Sequence, residues 1–211
     1  MTGPRRLEIP AQRIVRWCAG FEERHGVTAW SAEAERYLLR AHDGSEAALS
    51  GWREPGSAAV PPLDLSGWAA APSVFGLVLV RRGGYTVGVV QDGVLAQHYA
   101  GTRYVQSRTA AGGWSQQRYA RRRGNQADAL VNAVADRAAA MWSEHNLGGV
   151  VIGGDKALAA SVLNELVLPE SVTDTQRQFY DIPDPRHAVL KKVVDRSLRV
   201  SVDITETDLP S

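Results

Sequence analysis

Cysteine is nearly absent, with Cys18 the only one in 211 residues. One cysteine excludes an internal disulfide and a structural zinc site built on cysteines. Long apolar runs are lacking too. The longest, 74–80, is interrupted by Gly76 and followed by Arg81 and Arg82, so no segment is expected to span a membrane. The first eight residues are basic without an apolar stretch, and no secretory signal is expected. An excess of one charge is also missing, since 24 Lys+Arg face 23 Asp+Glu and leave a net +1. Taken alone, that balance argues against a nucleic-acid binder. What remains is ordinary: 44% hydrophobic and 22% charged residues. This composition excludes a disordered chain, a collagen and a coiled coil, and the length suits one large domain or two small ones with a real core.

Ile9, Ile14, Val15, Trp17, Cys18 and Phe21 recur near a 3.6-residue period and Gly26 follows, which predicts a helix. Residues 27–34 and 36–42 read as strands, Asp43-Gly44 as a hairpin turn, and 47–52 as the return strand. Residues 1–52 are thus expected to form a small helix-plus-hairpin unit. Residues 53–72 are rich in Pro, Gly, Ser and Ala, which predicts a connector without regular structure, packed down through Leu63, Leu65 and Trp68. From residue 73, strands at 74–82, 85–91 and 94–107 form an antiparallel meander, with Asp92-Gly93 as a tight turn. A long helix follows, with Ala120, Ala127, Leu130, Val131, Val134, Ala138, Met141 and Trp142 on one face. Then come a strand at 150–153, a helix at 156–166, an edge strand at 179–182, a helix at 185–195 and a strand at 198–204. The fold class is α/β, a mixed sheet with an antiparallel meander and crossover strands. Residues 73–204 form the second domain and 205–211 a tail.

Several catalytic patterns fail. Residues 113–117, Gly-Trp-Ser-Gln-Gln, approach the nucleophile elbow G-x-S-x-G, but Gln117 stands where a glycine must allow close strand–helix packing. Residues 149–156 resemble a phosphate loop without its G-K-[S/T] ending, and Asp155 would repel phosphate; a helix cap at Asp155 is the better reading. His25, His42, His98, His145 and His187 never fall at metal-ligand spacing and read as surface or helix-end residues. Cys18 reads as a core residue.

Residues 101–126 stand apart. They hold Arg103, Arg108, Arg118, Arg121, Arg122 and Arg123 and no acidic residue, together with Tyr104, Trp114 and Tyr119. Guanidinium groups for phosphates and flat rings for bases are what a single-stranded RNA end requires. Gly112 and Gly113 thin the loop tip so that it can enter a confined site. Three consecutive arginines splay around a helix, so at least one should flank the loop. Against a total of +1, these six arginines leave the rest of the chain at −5. A mildly acidic body with one concentrated basic loop reaches RNA without coating it indiscriminately.

The run from Gly112-Gly113-Trp114-Ser115 through Arg118-Tyr119-Ala120-Arg121, followed by a long helix, resembles the Gly-Gly-Gln loop of archaeal and eukaryotic class-1 release factors. That loop belongs to their middle, peptidyl-transferase-centre domain. The strand at 104–107 and the Gly-Gly-Val-Val-Ile-Gly-Gly-Asp-Lys turn at 148–156 extend the similarity, which covers about residues 73–204 by element order. Trp114 stands in place of the release factors' glutamine, and the nearest glutamines are Gln116 and Gln117. The shift resembles the Vms-like release factors, and the chain looks like their stand-alone, actinobacterial-type branch, without zinc finger, ankyrin repeats or codon-reading domain.

The resemblance implies a codon-independent hydrolase that cuts the ester between a nascent peptide and its tRNA on stalled ribosomes. Gln116 or Gln117 would place a backbone N–H near the developing oxyanion and a side-chain amide near the attacking water. Glutamine does not titrate, so general-base work would fall to the RNA. Ser115 is expected to cap the helix, with both glutamines in its first turn. Trp114 would stack on the tRNA terminus, and the arginines would neutralise tRNA or ribosomal RNA phosphates. No cofactor or metal is implied. The partners are peptidyl-tRNA and large-subunit RNA, with no membrane, and the protein is expected to be a monomer, cytoplasmic and ribosome-associated. A tRNA 3′-end nuclease of the same family and a non-catalytic RNA- or ribosome-binding module are the alternatives.

Overall fold

The computed structural model describes residues 5–55, 60–102 and 114–207, with backbone only for 114–120 and 123. The chain divides into two compact units, one from residues 1–71 and 195–211, the other from residues 72–194. Each holds a five-stranded sheet.

The first unit opens with β1 (Arg5–Pro10), a 3-10 turn and α1 (Ile14–His25). The helix expected from Ile9 onwards therefore starts later, because residues 5–10 are a strand. Their partner is β10 (Arg199–Thr205), aligned antiparallel from Arg5 opposite Ile204 to Pro10 opposite Arg199. Nothing local in the sequence signals a partner so far along the chain. β2 (Thr28–Glu33), β3 (Arg36–Ala41) and β4 (Glu46–Ser50) bear out the expected hairpins. The sheet order is β1-β10-β4-β3-β2. Its apolar face carries Leu39, Leu49, Val200 and Val202 against Ile14, Cys18 and Phe21 of α1.

The stretch expected to lack regular structure contains α2 (Leu65–Ala69), because Asp64 caps it by accepting the Gly67 N–H at 2.8 Å. Trp68 is buried and donates its indole N–H to the Arg53 carbonyl at 2.9 Å. Leu65 is partly buried as expected, but Leu63 is 97% exposed and anchors nothing.

The second unit contains β5 (Val74–Arg81), β6 (Gly84–Gln91) and β7 (Val94–Gly101), the expected meander. Asp92 and Gly93 join β6 to β7 with φ of 50° and 78°, the double left-handed conformation that a two-residue hairpin requires. β7 ends at Gly101, short of the longer expected strand, whose residues 103–107 lie outside the described residues. Next come α3 (Trp114–Trp142), β8 (Val150–Gly154), α4 (Lys156–Glu165), the one-turn α5 (Glu170–Thr173), β9 (Gln176–Phe179) and α6 (His187–Ser197). The edge strand falls three residues before the expected one, ending where expectation began it. The sheet order is β7-β6-β5-β8-β9, with β5, β8 and β9 parallel. β5 and β8 are buried on both faces, as strands of a covered parallel sheet must be. At the end of β8, Gly154 has φ of 98°, and a Cβ there would lie 2.1 Å from the Val80 carbonyl oxygen.

The division by contacts differs from the expected 73–204 domain at β10. That strand pairs with β1 and β4 of the first unit, so residues 195–211 fold with residues 1–71 and not with the second domain. Among the described residues no helix is long and apolar enough to cross a membrane.

Candidate functional site

α3 is 29 residues long, about 44 Å at 1.5 Å per residue. Its two halves differ. From Leu130 onwards the face bearing Leu130, Val131, Val134, Ala135, Ala138 and Trp142 is buried against Val87 and Val89 of β6, Val78 of β5, and Leu158 and Val162 of α4. The Trp142 indole N–H donates to the Gly88 carbonyl at 3.0 Å. In the first half Arg121, Arg122, Gly124 and Asn125 are exposed, and no described side chain before Leu130 is fully buried. The 13 residues before Ala127 span about 20 Å of helix.

The expected site residues fall on this helix start or just before it. Arg103, Arg108, Gly112 and Gly113 lie outside the described residues. Trp114, Ser115, Gln116, Gln117, Arg118 and Arg123 belong to α3 by backbone, and their side chains lie outside the described residues too. Ser115 is the second residue of α3, and its expected capping contact lies outside the described residues. Helical spacing puts Gln117 and Arg121 on one face, and Arg118 and Arg122 on another.

The first turn holds no acidic residue. Helix N-termini carry a partial positive charge that acids offset, and none does so here. Gly124 adds a cost of about 0.5–1 kcal/mol relative to alanine in a helix interior. This stretch is poorly optimised as a helix and well suited to attract anions.

The discarded motifs are explained by their surroundings. Asp155 accepts the N–H groups of Ala157 at 3.1 Å and Leu158 at 3.2 Å, and so caps α4. Cys18 is buried, and burial, helped by the nearby Glu22, pushes its thiol up to about 12. His25 ends α1 as expected but is nearly enclosed: its Nδ1 lies 2.8 Å from Asp43 and its Nε2 3.7 Å from Glu206. The rings of His98 and His187 meet at a tilt of 39° with centres 5.0 Å apart, a pairing that sequence spacing did not show because it joins β7 to the start of α6. Among the described residues no group of three His, Cys, Asp or Glu side chains could hold a metal ion.

Sequence reasoning also missed a cleft of about 530 Å³ lined by Tyr85, Tyr99, Gly101, Thr102, Asp136 and Arg137, among others. Its residues come from three elements, and no motif links them.

No curated protein matches the chain. Among solved structures it is similar to one described as a Vms1 mitochondrial localization core, with 13% identity and a TM-score of 0.49 over 95% of this chain and 82% of that one. The family model of the Actinobacteria/chloroflexi VLRF1 release factor matches residues 73–203. That span is more than half of the sequence and takes in β5 through all but the last two residues of β10, so the chain belongs to the Actinobacteria/chloroflexi VLRF1 release factor family.

Proposed function

We propose that this protein is a peptidyl-tRNA hydrolase that frees nascent chains from stalled ribosomes, acting in the cytoplasm at the large subunit. The carrying observation is the start of α3. A release-factor family member holds two glutamines and several arginines, with no acid, on a helix start whose described side chains stay out of the core. Such a helix start suits entry into an RNA-lined site, where its arginines meet phosphates.

In this reading Gln116 or Gln117 orients water toward the ester carbonyl, and a backbone N–H stabilises the oxyanion. Water adds to the carbonyl carbon, the bond to the tRNA ribose oxygen breaks, and that oxygen takes up a proton. The products are a free peptide acid and full-length deacylated tRNA. Arg118, Arg121, Arg122 and Arg123 hold RNA phosphates, and Trp114 packs on the tRNA end.

The test loads a stalled large subunit with labelled peptidyl-tRNA and adds wild type, Gln116→Ala or Gln117→Ala. Free peptide with intact tRNA, lost in one glutamine variant while binding persists, supports the reading. Peptide still esterified to a short RNA fragment points instead to a nuclease. Undiminished release by both variants removes the glutamines from the mechanism.

A further inference from the structure

The cleft beside β7 offers a second RNA contact, away from the start of α3. Tyr99 lies on the edge strand and is 38% exposed. The Arg137 guanidinium carbon sits 4.1 Å from the centre of its ring. Arg137 is exposed, and among the described residues it makes no ion pair. Tyr85 stands beside Tyr99 with ring centres 6.1 Å apart. It lies so close over Gly101 that a Cβ there would come within 2.5 Å of its ring, so the glycine gives the Tyr85 ring room to lie against β7. Asp136 lines the same cleft.

These groups form a set. A guanidinium laid on an aromatic ring is held flat, and its outer plane is a stacking surface for a base. The same group carries the positive charge that a phosphate needs. A bare phosphate would be repelled by Asp136, whereas the amino group of a base would donate to that carboxylate. The combination fits a whole nucleotide better than a free anion. We infer that this cleft is a binding site for one unpaired ribonucleotide, stacked on the Arg137–Tyr99 pair and donating its base amino group to Asp136. Arg137 is 20 residues beyond Gln117 on the same helix, about 30 Å along its axis. The nucleotide is therefore distant from the terminal adenosine and belongs to another part of the tRNA or to ribosomal RNA. The inference rests on the proposed function for its RNA partner only.

The experiment titrates the full ¹⁵N-labelled chain with an adenosine RNA hexamer, with a uridine hexamer and with inorganic phosphate. The adenosine hexamer should shift the amides of Thr102, Ala133 and Ala140, with the uridine hexamer weaker and phosphate silent. Arg137→Ala and Tyr99→Ala should each weaken those shifts about ten-fold. Arg137→Lys should weaken them nearly as much, because lysine keeps the charge without the plane. If the hexamer moves only amides near the start of α3, or if Arg137→Lys binds like wild type, the site is refuted. A photo-crosslinking residue at Ala140 then identifies the source on loaded subunits. Capture of tRNA or of ribosomal RNA supports the site, and capture of neither refutes it. Peptide release keeps the two proposals apart. Release that persists while the cleft amides stay silent overturns the cleft alone. Cleft binding with no release by wild type overturns the hydrolase alone.

Discussion

The indole of Trp142 lies directly over Gly76, so that a Cβ on Gly76 would come within 2.6 Å of two of its ring carbons. The contact seats the end of α3 on β5, with the Gly88 carbonyl of β6 accepting the indole N–H. Gly76→Ala should therefore destabilise the second unit by about 1–3 kcal/mol through overpacking. Adding Trp142→Phe should recover part of that loss, because the smaller ring makes room. Urea unfolding of the two single variants and the double variant measures both effects. Strictly additive losses would show that the two residues are not in energetic contact.

Cys18 should be chemically silent in the folded protein. Its thiol is pushed up to about 12 by burial, against about 8.5 for a free cysteine. At pH 8 almost no thiolate is present. Alkylation by iodoacetamide should be slow in the native chain and fast in denaturant. Rapid native labelling would contradict a core position.

Asp43 should give the first unit an acid-sensitive share of its stability. The Ser45 backbone N–H, and next the His25 ring, hold its carboxyl below the usual carboxylate value. As pH falls, the unfolded chain takes up this proton first, at about pH 3.9. The stabilisation is thus full above that value and is lost as pH falls through the lower folded value. Asp43→Asn should be less stable than wild type at pH 7, with the difference narrowing toward pH 3. Urea midpoints across that range give the answer, and a constant difference would assign the effect to something other than the proton.

What the sequence made legible depended on how local each feature is. The Asp43-Gly44 and Asp92-Gly93 turns were readable because a tight turn is specified by its own two residues. The α3 face from Leu130 to Trp142 was readable because its period repeats over several turns. β1 was not, since residues 5–10 acquire strand geometry only by pairing with residues 199–204. The same pairing ties β10 to the first unit. Within the site, the arginines and glutamines were legible as a composition without acids. The Arg137–Tyr99 stack was not, because it joins a strand and a helix 38 positions apart and neither residue belongs to a motif.

Gly124 sits within α3 with nothing near the place its Cβ would occupy. Gly124→Ala should raise the stability of the helix start by about 0.5–1 kcal/mol without a clash. Amide hydrogen exchange over residues 118–128 should slow accordingly. Unchanged exchange would mean that the helix start is held by something other than its own propensity.

Arg121 and Arg122 are exposed on the first half of α3, where binding to RNA phosphate releases condensed counterions. Each phosphate contact contributes about −0.7 to the slope of log affinity against log salt for single strands and about −0.9 for a duplex. Arg121→Ala and Arg122→Ala should each reduce the slope for large-subunit binding by up to about one unit, weakening affinity at low salt and mattering little at high salt. Asp128, one to two turns further along the same helix, supplies a control of opposite sign: Asp128→Asn should strengthen binding slightly. Binding measured over several salt concentrations distinguishes this from a structural effect, which would lower affinity equally at every concentration. A slope unchanged in both arginine variants would place the RNA contact elsewhere on the molecule.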